Sequence, residues 1–136
     1  MADLTLRMGA EAENVALARR ALEGILARVA PEMIADVNLA VTEACMNAIL
    51  HGYGDAEGTI DVDARLEPGR VELAVRDYGA GLDSDQGRSR PNAGLGLRLM
   101  RAVSNDLQIR TAPGRGTEIR IGFRPGGERA PEAHPV

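Results

Sequence analysis

The chain has 136 residues, a formal net charge of −4 and a single cysteine, Cys45. That length suits one domain with one core, the charge argues against general polyanion binding, and a lone cysteine excludes an intrachain disulfide and fits a reducing compartment. Two Tyr, one Phe and no Trp leave little for base stacking, which argues against direct binding of single-stranded nucleic acid, and all sixteen basic residues are Arg, which excludes a Schiff-base lysine and a P-loop lysine.

In chain order, "DLTLRM" alternates with Leu4, Leu6 and Met8 on one side and predicts a strand. "AENVALARRALEGILARV" places Val15, Ala18, Leu22, Ile25, Leu26 and Val29 on one stripe of an amphipathic helix. Pro31 suits the first turn of a second helix, which repeats Ile34, Val37, Val41, Cys45, Ala48 and Ile49 before stopping near Gly52–Gly54. "GTIDVDARLE" and "GRVELAVRDYG" alternate around an "EPGR" turn and predict a hairpin. The polar, glycine-rich stretch "GAGLDSDQGRSRPNAG" has the length of a functional loop. "LGLRLMRAVSN" resumes helical spacing, and two strands flank "PGRG" in "DLQIRTAPGRGTEIRIGF".

Alternating strands show one face to a core and the other to solvent. The expectation is an α+β chain: a two-layer α/β sandwich whose mixed, mostly antiparallel sheet is covered by helices on one face. Residues 125–136, rich in Pro and Gly, are expected to form a disordered C-terminal tail. No run approaches the roughly 18 apolar residues of a membrane span, and no basic segment precedes an apolar one at the start. A cytoplasmic protein without a membrane partner is expected.

Several spots can carry chemistry. Glu43, Asn47 and His51 recur every fourth residue in "TEACMNAILHGYG", so on a regular α-helix they share a face. An Asn oxygen suits Mg²⁺, which keeps waters and phosphates as its other ligands, and a carboxylate one turn earlier can take a proton from a hydroxyl. Solvated helix residues would give the same pattern. Asp77 ends a strand before Gly79 and Gly81; it can accept from an exocyclic amine while the glycines let the backbone approach a ring, or it can be a solvated turn residue. Gly94, Leu95 and Gly96 open a helix, which offers free N–H groups to phosphate, although glycine hinges are common. "GRGT" brings Thr117 onto the last strand.

Taken in this order, "E-x-x-x-N", "D-x-G-x-G", a long polar loop, "G-x-G" and a late "G-T" resemble the GHKL nucleotide-binding superfamily, the Bergerat fold of gyrase and histidine-kinase ATP-binding domains. The match spans residues 1–124. The resemblance implies ATP as ligand, Mg²⁺ on Asn47, adenine recognition by Asp77 with Gly79 and Gly81, a lid closing through Gly94, Leu95 and Gly96, and Thr117 on the adenine side. "TEACMNAILHGYG" is also similar to the first nucleotide box of bacterial anti-sigma-factor serine kinases, E-x-x-x-N-A-x-x-H-x-Y, through Glu43, Asn47, Ala48, His51 and Tyr53.

That narrower resemblance implies an anti-sigma factor that sequesters a sigma factor and, with ATP, phosphorylates a serine of an anti-anti-sigma (STAS-type) protein. It implies a homodimer, and Glu43 as general base. The sequence departs from the family at Asn92 and Ala93, where relatives often carry an Arg that touches the γ-phosphate; Arg88 and Arg90 are the substitutes within reach along the loop. The alternatives are an ATP-binding partner-switch regulator without effective kinase activity, or a stand-alone histidine-kinase-like catalytic domain. The second would need its phosphoacceptor elsewhere, since His51 lies inside the nucleotide helix and His134 in the tail.

Overall fold

A computed structural model of the chain describes residues 2–81, 94–126 and 134–135. The elements are β1 (Ala2–Gly9), α1 (Ala12–Val29), a 3₁₀ turn (Pro31–Met33), α2 (Ile34–Asn47), a π-helical turn (Ala48–Tyr53), β2 (Thr59–Glu67), β3 (Arg70–Asp77), α3 (Leu95–Val103), β4 (Asp106–Ala112), β5 (Gly116–Phe123) and β6 (His134–Pro135). The sheet order is β1-β2-β3-β5-β4-β6. The first five strands pair antiparallel. The two-residue β6 pairs parallel to β4, so part of the segment expected to be a tail touches the sheet; residues 127–133 and 136 lie outside the described residues.

The alternation in the strands sets the layers. Ile60, Val62, Ala64 and Leu66 on β2, Val71, Leu73 and Val75 on β3, and Ile119, Ile121 and Phe123 on β5 are buried. They meet Leu22 and Leu26 of α1, Val37 and Val41 of α2 and Met100 of α3 in one cluster. Each such side chain contributes roughly 1.5–3 kcal/mol by leaving water. The opposite face of the sheet carries no described helix. A shallow trough of about 600 Å³ crosses it between Asp3, Asp63, Arg65, Glu72, Glu118 and Arg120, away from the glycine motifs.

The helical stretch Pro31–Tyr53, with hydropathy 1.3, is long and apolar enough by composition to cross a membrane. The sequence reading allowed no such run. Here that stretch is the central core helix, and its apolar side packs on the sheet through Val37, Ala40, Val41, Ala44 and Cys45. Burial pushes the Cys45 thiol up to about 12, so it behaves as a small hydrophobe.

Leu22 is fully enclosed between α1 and the sheet. Leu22→Ala is expected to remove about 2–5 kcal/mol of stability in chemical denaturation, with the spread set by how far α1 collapses into the cavity.

Candidate nucleotide site

The α-helix geometry of α2 stops at Asn47, and the next turn closes with i→i+5 bonds, ending in Gly54 N–H to Ile49 O at 3.0 Å. A π turn rotates each residue through less than the roughly 100° of an α-helix. Glu43 and Asn47 lie one turn apart in the regular part of α2, and His51 follows four residues later inside the π turn. His51 lies half-buried in the π turn.

The π turn drives Gly52 onto the end of β3. A Cβ on Gly52 would lie 2.8 Å from the Asp77 Cγ, and one on Gly79 would collide with the Gly52 carbonyl oxygen. That same oxygen accepts the Ala80 N–H at 2.7 Å. From the other flank, Gly116 (φ +82°) packs so close that a Cβ would strike the Asp77 carbonyl oxygen. Gly81 (φ +89°) rests on β4, where a Cβ would lie 2.6 Å from Ala112 O, and Gly114 N–H donates to Ala80 O at 2.8 Å. The "DYGAG" segment is thus clamped between the π turn and the β4–β5 hairpin.

Asp77 is buried and pairs directly with Thr117 across the β3–β5 ladder. The Gly79 N–H donates to its Oδ1 at 2.9 Å. Burial raises the Asp77 carboxyl above its ordinary value, opposed by the backbone N–H groups of Gly79 and Thr117. A carboxylate has more acceptor sites than these two donors fill, so Asp77 can still accept from an amine entering the pocket. Thr117 is buried beside it, and its Oγ1 lies 3.0 Å from the Thr111 Oγ1.

The other end of the site is built on two helices. Gly94 (φ +90°) leads directly into α3 at Leu95, and its carbonyl accepts the Arg98 N–H at 3.1 Å. Leu95 is 47% exposed. A Cβ on Gly96 would lie 3.0 Å from the Glu43 Oε2, so the Glu43 carboxylate rests against the first turn of α3. Asn47 follows Glu43 by one turn, about 5–6 Å between Cβ atoms, at the last residue of α2. The structure brings Asp77, Gly79, Gly81 and Thr117 together, and separately Glu43 with Gly94, Leu95 and Gly96. Arg88, Arg90, Asn92 and Ala93 lie outside the described residues.

The chain matches the histidine kinase-like ATPase domain over residues 8–123. The chain belongs to this family. It is 34% identical over 122 residues to the anti-sigma F factor of Pasteuria penetrans, covering 80% of this chain and 81% of that protein. It is 31% identical over 130 residues to the anti-sigma F factor of Clostridium beijerinckii, covering 87% and 91%. It is 29% identical over 129 residues to that of Thermoanaerobacter sp. (strain X514), covering 87% and 90%. The fold is similar to a histidine kinase domain of the Erythrobacter litoralis EL346 blue-light activated kinase, with a TM-score of 0.56, 22% identity, and coverage of 83% of this chain and 60% of that one.

ATP is thus the ligand class of this histidine kinase-like ATPase chain, and its described residues fit one. A buried acceptor among glycines suits a purine edge. The phosphate end, with a helix N-terminus, offers free backbone N–H groups. Among the described residues there is no group of three or more His, Cys, Asp or Glu that could cage a metal. Sequence reasoning missed Thr111 and Gly52 as neighbours of Thr117 and Asp77, while Gly116 fell within the "GRGT" spot it had singled out. Thr111 was discoverable, because a hairpin centred on "PGRG" pairs it with Thr117.

Two outcomes follow from this geometry. Gly52→Ala, which cannot place its Cβ without moving the carboxylate or the turn, is expected to weaken ATP binding at least about 10-fold in calorimetry, the scale of a lost hydrogen bond to a charged group. For Asp77 the folded carboxyl titrates above its unfolded value, so its contribution to stability is present at low pH and is lost as pH rises through the raised value. In thermal unfolding without nucleotide, Asp77→Asn should gain on the parent as pH goes from about 4 to about 7. A difference that stays flat or moves the other way would contradict the burial argument.

Proposed function

We propose that the protein is an ATP-dependent serine protein kinase with anti-sigma activity. In this reading it sequesters a sigma factor and phosphorylates a serine of an anti-anti-sigma protein, so that transcription is regulated by partner switching in the cytoplasm. The observation that carries the reading is the Glu43 carboxylate resting on Gly96 at the start of α3, one helical turn from Asn47. In this reading Glu43 is the base that meets the terminal phosphate of a triphosphate anchored by its purine at Asp77. The names of the relatives, anti-sigma F factors, support the partner class.

The chemistry asks for positioning and charge stabilisation. Asp77 accepts from the adenine amine, Gly79 and Gly81 let the ring approach, and Thr117 borders it. The backbone N–H groups at Gly94, Leu95 and Gly96 face the phosphates, and the preceding stretch of sequence offers Arg88 and Arg90 as cations for the γ-phosphate. Glu43 accepts the proton of the attacking serine hydroxyl as its oxygen bonds the γ-phosphorus and ADP leaves. Mg²⁺, held by Asn47, offsets phosphate charge when bound. A homodimer belongs to the same reading: β1 is the edge strand of the sheet, and Leu17 on α1 is 58% exposed.

Incubation with γ-labelled Mg-ATP and a panel of anti-anti-sigma proteins is expected to label a serine. Glu43→Ala should slow labelling roughly 10²–10⁴-fold, the usual worth of a general base, with ATP binding retained. Asn47→Ala should weaken Mg-ATP binding itself. Tight ATP binding with no label on any partner would favour a nucleotide-responsive regulator, for which the absence of an Arg at Asn92 and Ala93 already speaks.

A further inference from the structure

We propose that Tyr53 is a positioning residue for purine recognition: its hydroxyl fixes the peptide that follows Asp77, so that the carboxylate meets a 6-amino purine in one orientation. This rests on the reading of Asp77 as the group that accepts from the adenine amine.

The hydroxyl stands in for a rung of the sheet. The β2–β3 ladder ends at the pair Ile60 and Asp77. The next rung would join Thr59 to Tyr78. In its place the Tyr53 hydroxyl donates to the Thr59 carbonyl at 2.5 Å and accepts the Tyr78 N–H at 2.8 Å. The ring lies so flat on Gly58 that a Cβ there would overlap it. One residue earlier, the Gly52 carbonyl takes the Ala80 N–H. Neighbouring residues of a single π turn therefore hold two N–H groups of the segment after Asp77. On the open face of the sheet, the Tyr78 hydroxyl bonds Asp61 and lies 3.5 Å from the Arg7 Nη2, and the Arg76 guanidinium sits 5.2 Å from its ring centroid. The side chain of Tyr78 is thus anchored on one face, and its amide is anchored by Tyr53 from the other.

The consequence concerns selectivity more than affinity. Displacement of the Tyr78 peptide shifts the Gly79 N–H that donates to the Asp77 Oδ1, hence the aim of a carboxylate already constrained by Gly52. A mis-aimed carboxylate loses its bond to the 6-amine and leaves the phosphate contacts on α3 untouched. Tyr53→Phe keeps the ring on Gly58 and exposes the freed Thr59 and Tyr78 groups to water, because both residues are exposed.

The test is a thermodynamic cycle between the hydroxyl and the amine. Calorimetry compares ATP with purine riboside triphosphate, which lacks the 6-amine, on the full chain and on Tyr53→Phe. The parent is expected to prefer ATP roughly 10-fold or more, and Tyr53→Phe to reduce that preference to about 3-fold or less while binding the analogue within about 2-fold of the parent. Equal losses for both nucleotides, or no loss for either, would overturn the proposal. A parent with no preference for ATP over the analogue would instead remove the Asp77 assignment beneath it. Independently of any variant, nuclear Overhauser contacts between the Tyr53 ring and the Tyr78 amide should appear in the ATP-bound parent; their absence would also overturn it.

Discussion

The site is organised by one close approach, the peptide of Gly52 against the carboxylate of Asp77. There is no room for a Cβ at this contact. It joins the C-terminal end of the core helix to the end of a central strand, and it fixes how far Asn47 stands from Asp77. In the proposed reading, the distance between the phosphate-end and purine-end residues is thereby set by backbone packing. Side chains with free rotamers would hold it less well, since ordering each one costs conformational entropy.

A buried carboxylate is costly unless it is paired or well hydrogen-bonded. Asp77 is such a buried carboxylate. It is held by the N–H groups of Gly79 and Thr117, which oppose the effect of burial without cancelling it. The contrast lies on the other face of the sheet. Asp61 is bonded through both oxygens to Arg7, at 2.7 and 2.9 Å, and titrates down at about 2. One carboxylate is satisfied internally and serves to brace β1 on β2. The other keeps acceptor capacity at a buried position, which is the condition for recognising a donor on a ligand.

Much of this was legible in the sequence. Period-two alternation gave the strands and the buried face, and glycines marked the two turns that carry Asp77 and Thr117. The row of Glu43 and Asn47 survived because both lie within the regular part of α2. The π turn that carries His51 was not legible, because it has no side-chain signature that periodicity detects. Gly52 read as a helix stop, since a single sequence cannot show that the residue is required by a carboxylate from a strand 25 positions later. Tyr53 was visible as a letter in a motif, but its two backbone partners belong to β2 and the segment after β3. The apolar length of Pro31–Tyr53 was underestimated because its polar positions, Glu43 and Asn47 among them, interrupt the run without making the helix polar.

The phosphate end has a different physical character from the purine end. Glu43 lies against the first turn of α3, where the partial positive charge of the helix favours an anion. Phosphates favour the same place. Two like charges about 4 Å apart near a protein surface repel by roughly 4 kcal/mol. A triphosphate entering beside Glu43 must therefore bring countercharge, or the carboxylate must turn away. In the proposed reading a divalent cation at Asn47 supplies that countercharge. The amide, being neutral, adds no further negative charge to a crowded site. A carboxylate at position 47 would bind the bare metal more strongly, yet it would add a third anionic group beside Glu43 and the phosphates. In that reading, the neutral amide next to the carboxylate would let one short stretch of helix hold a proton acceptor and a metal-bound phosphate chain together.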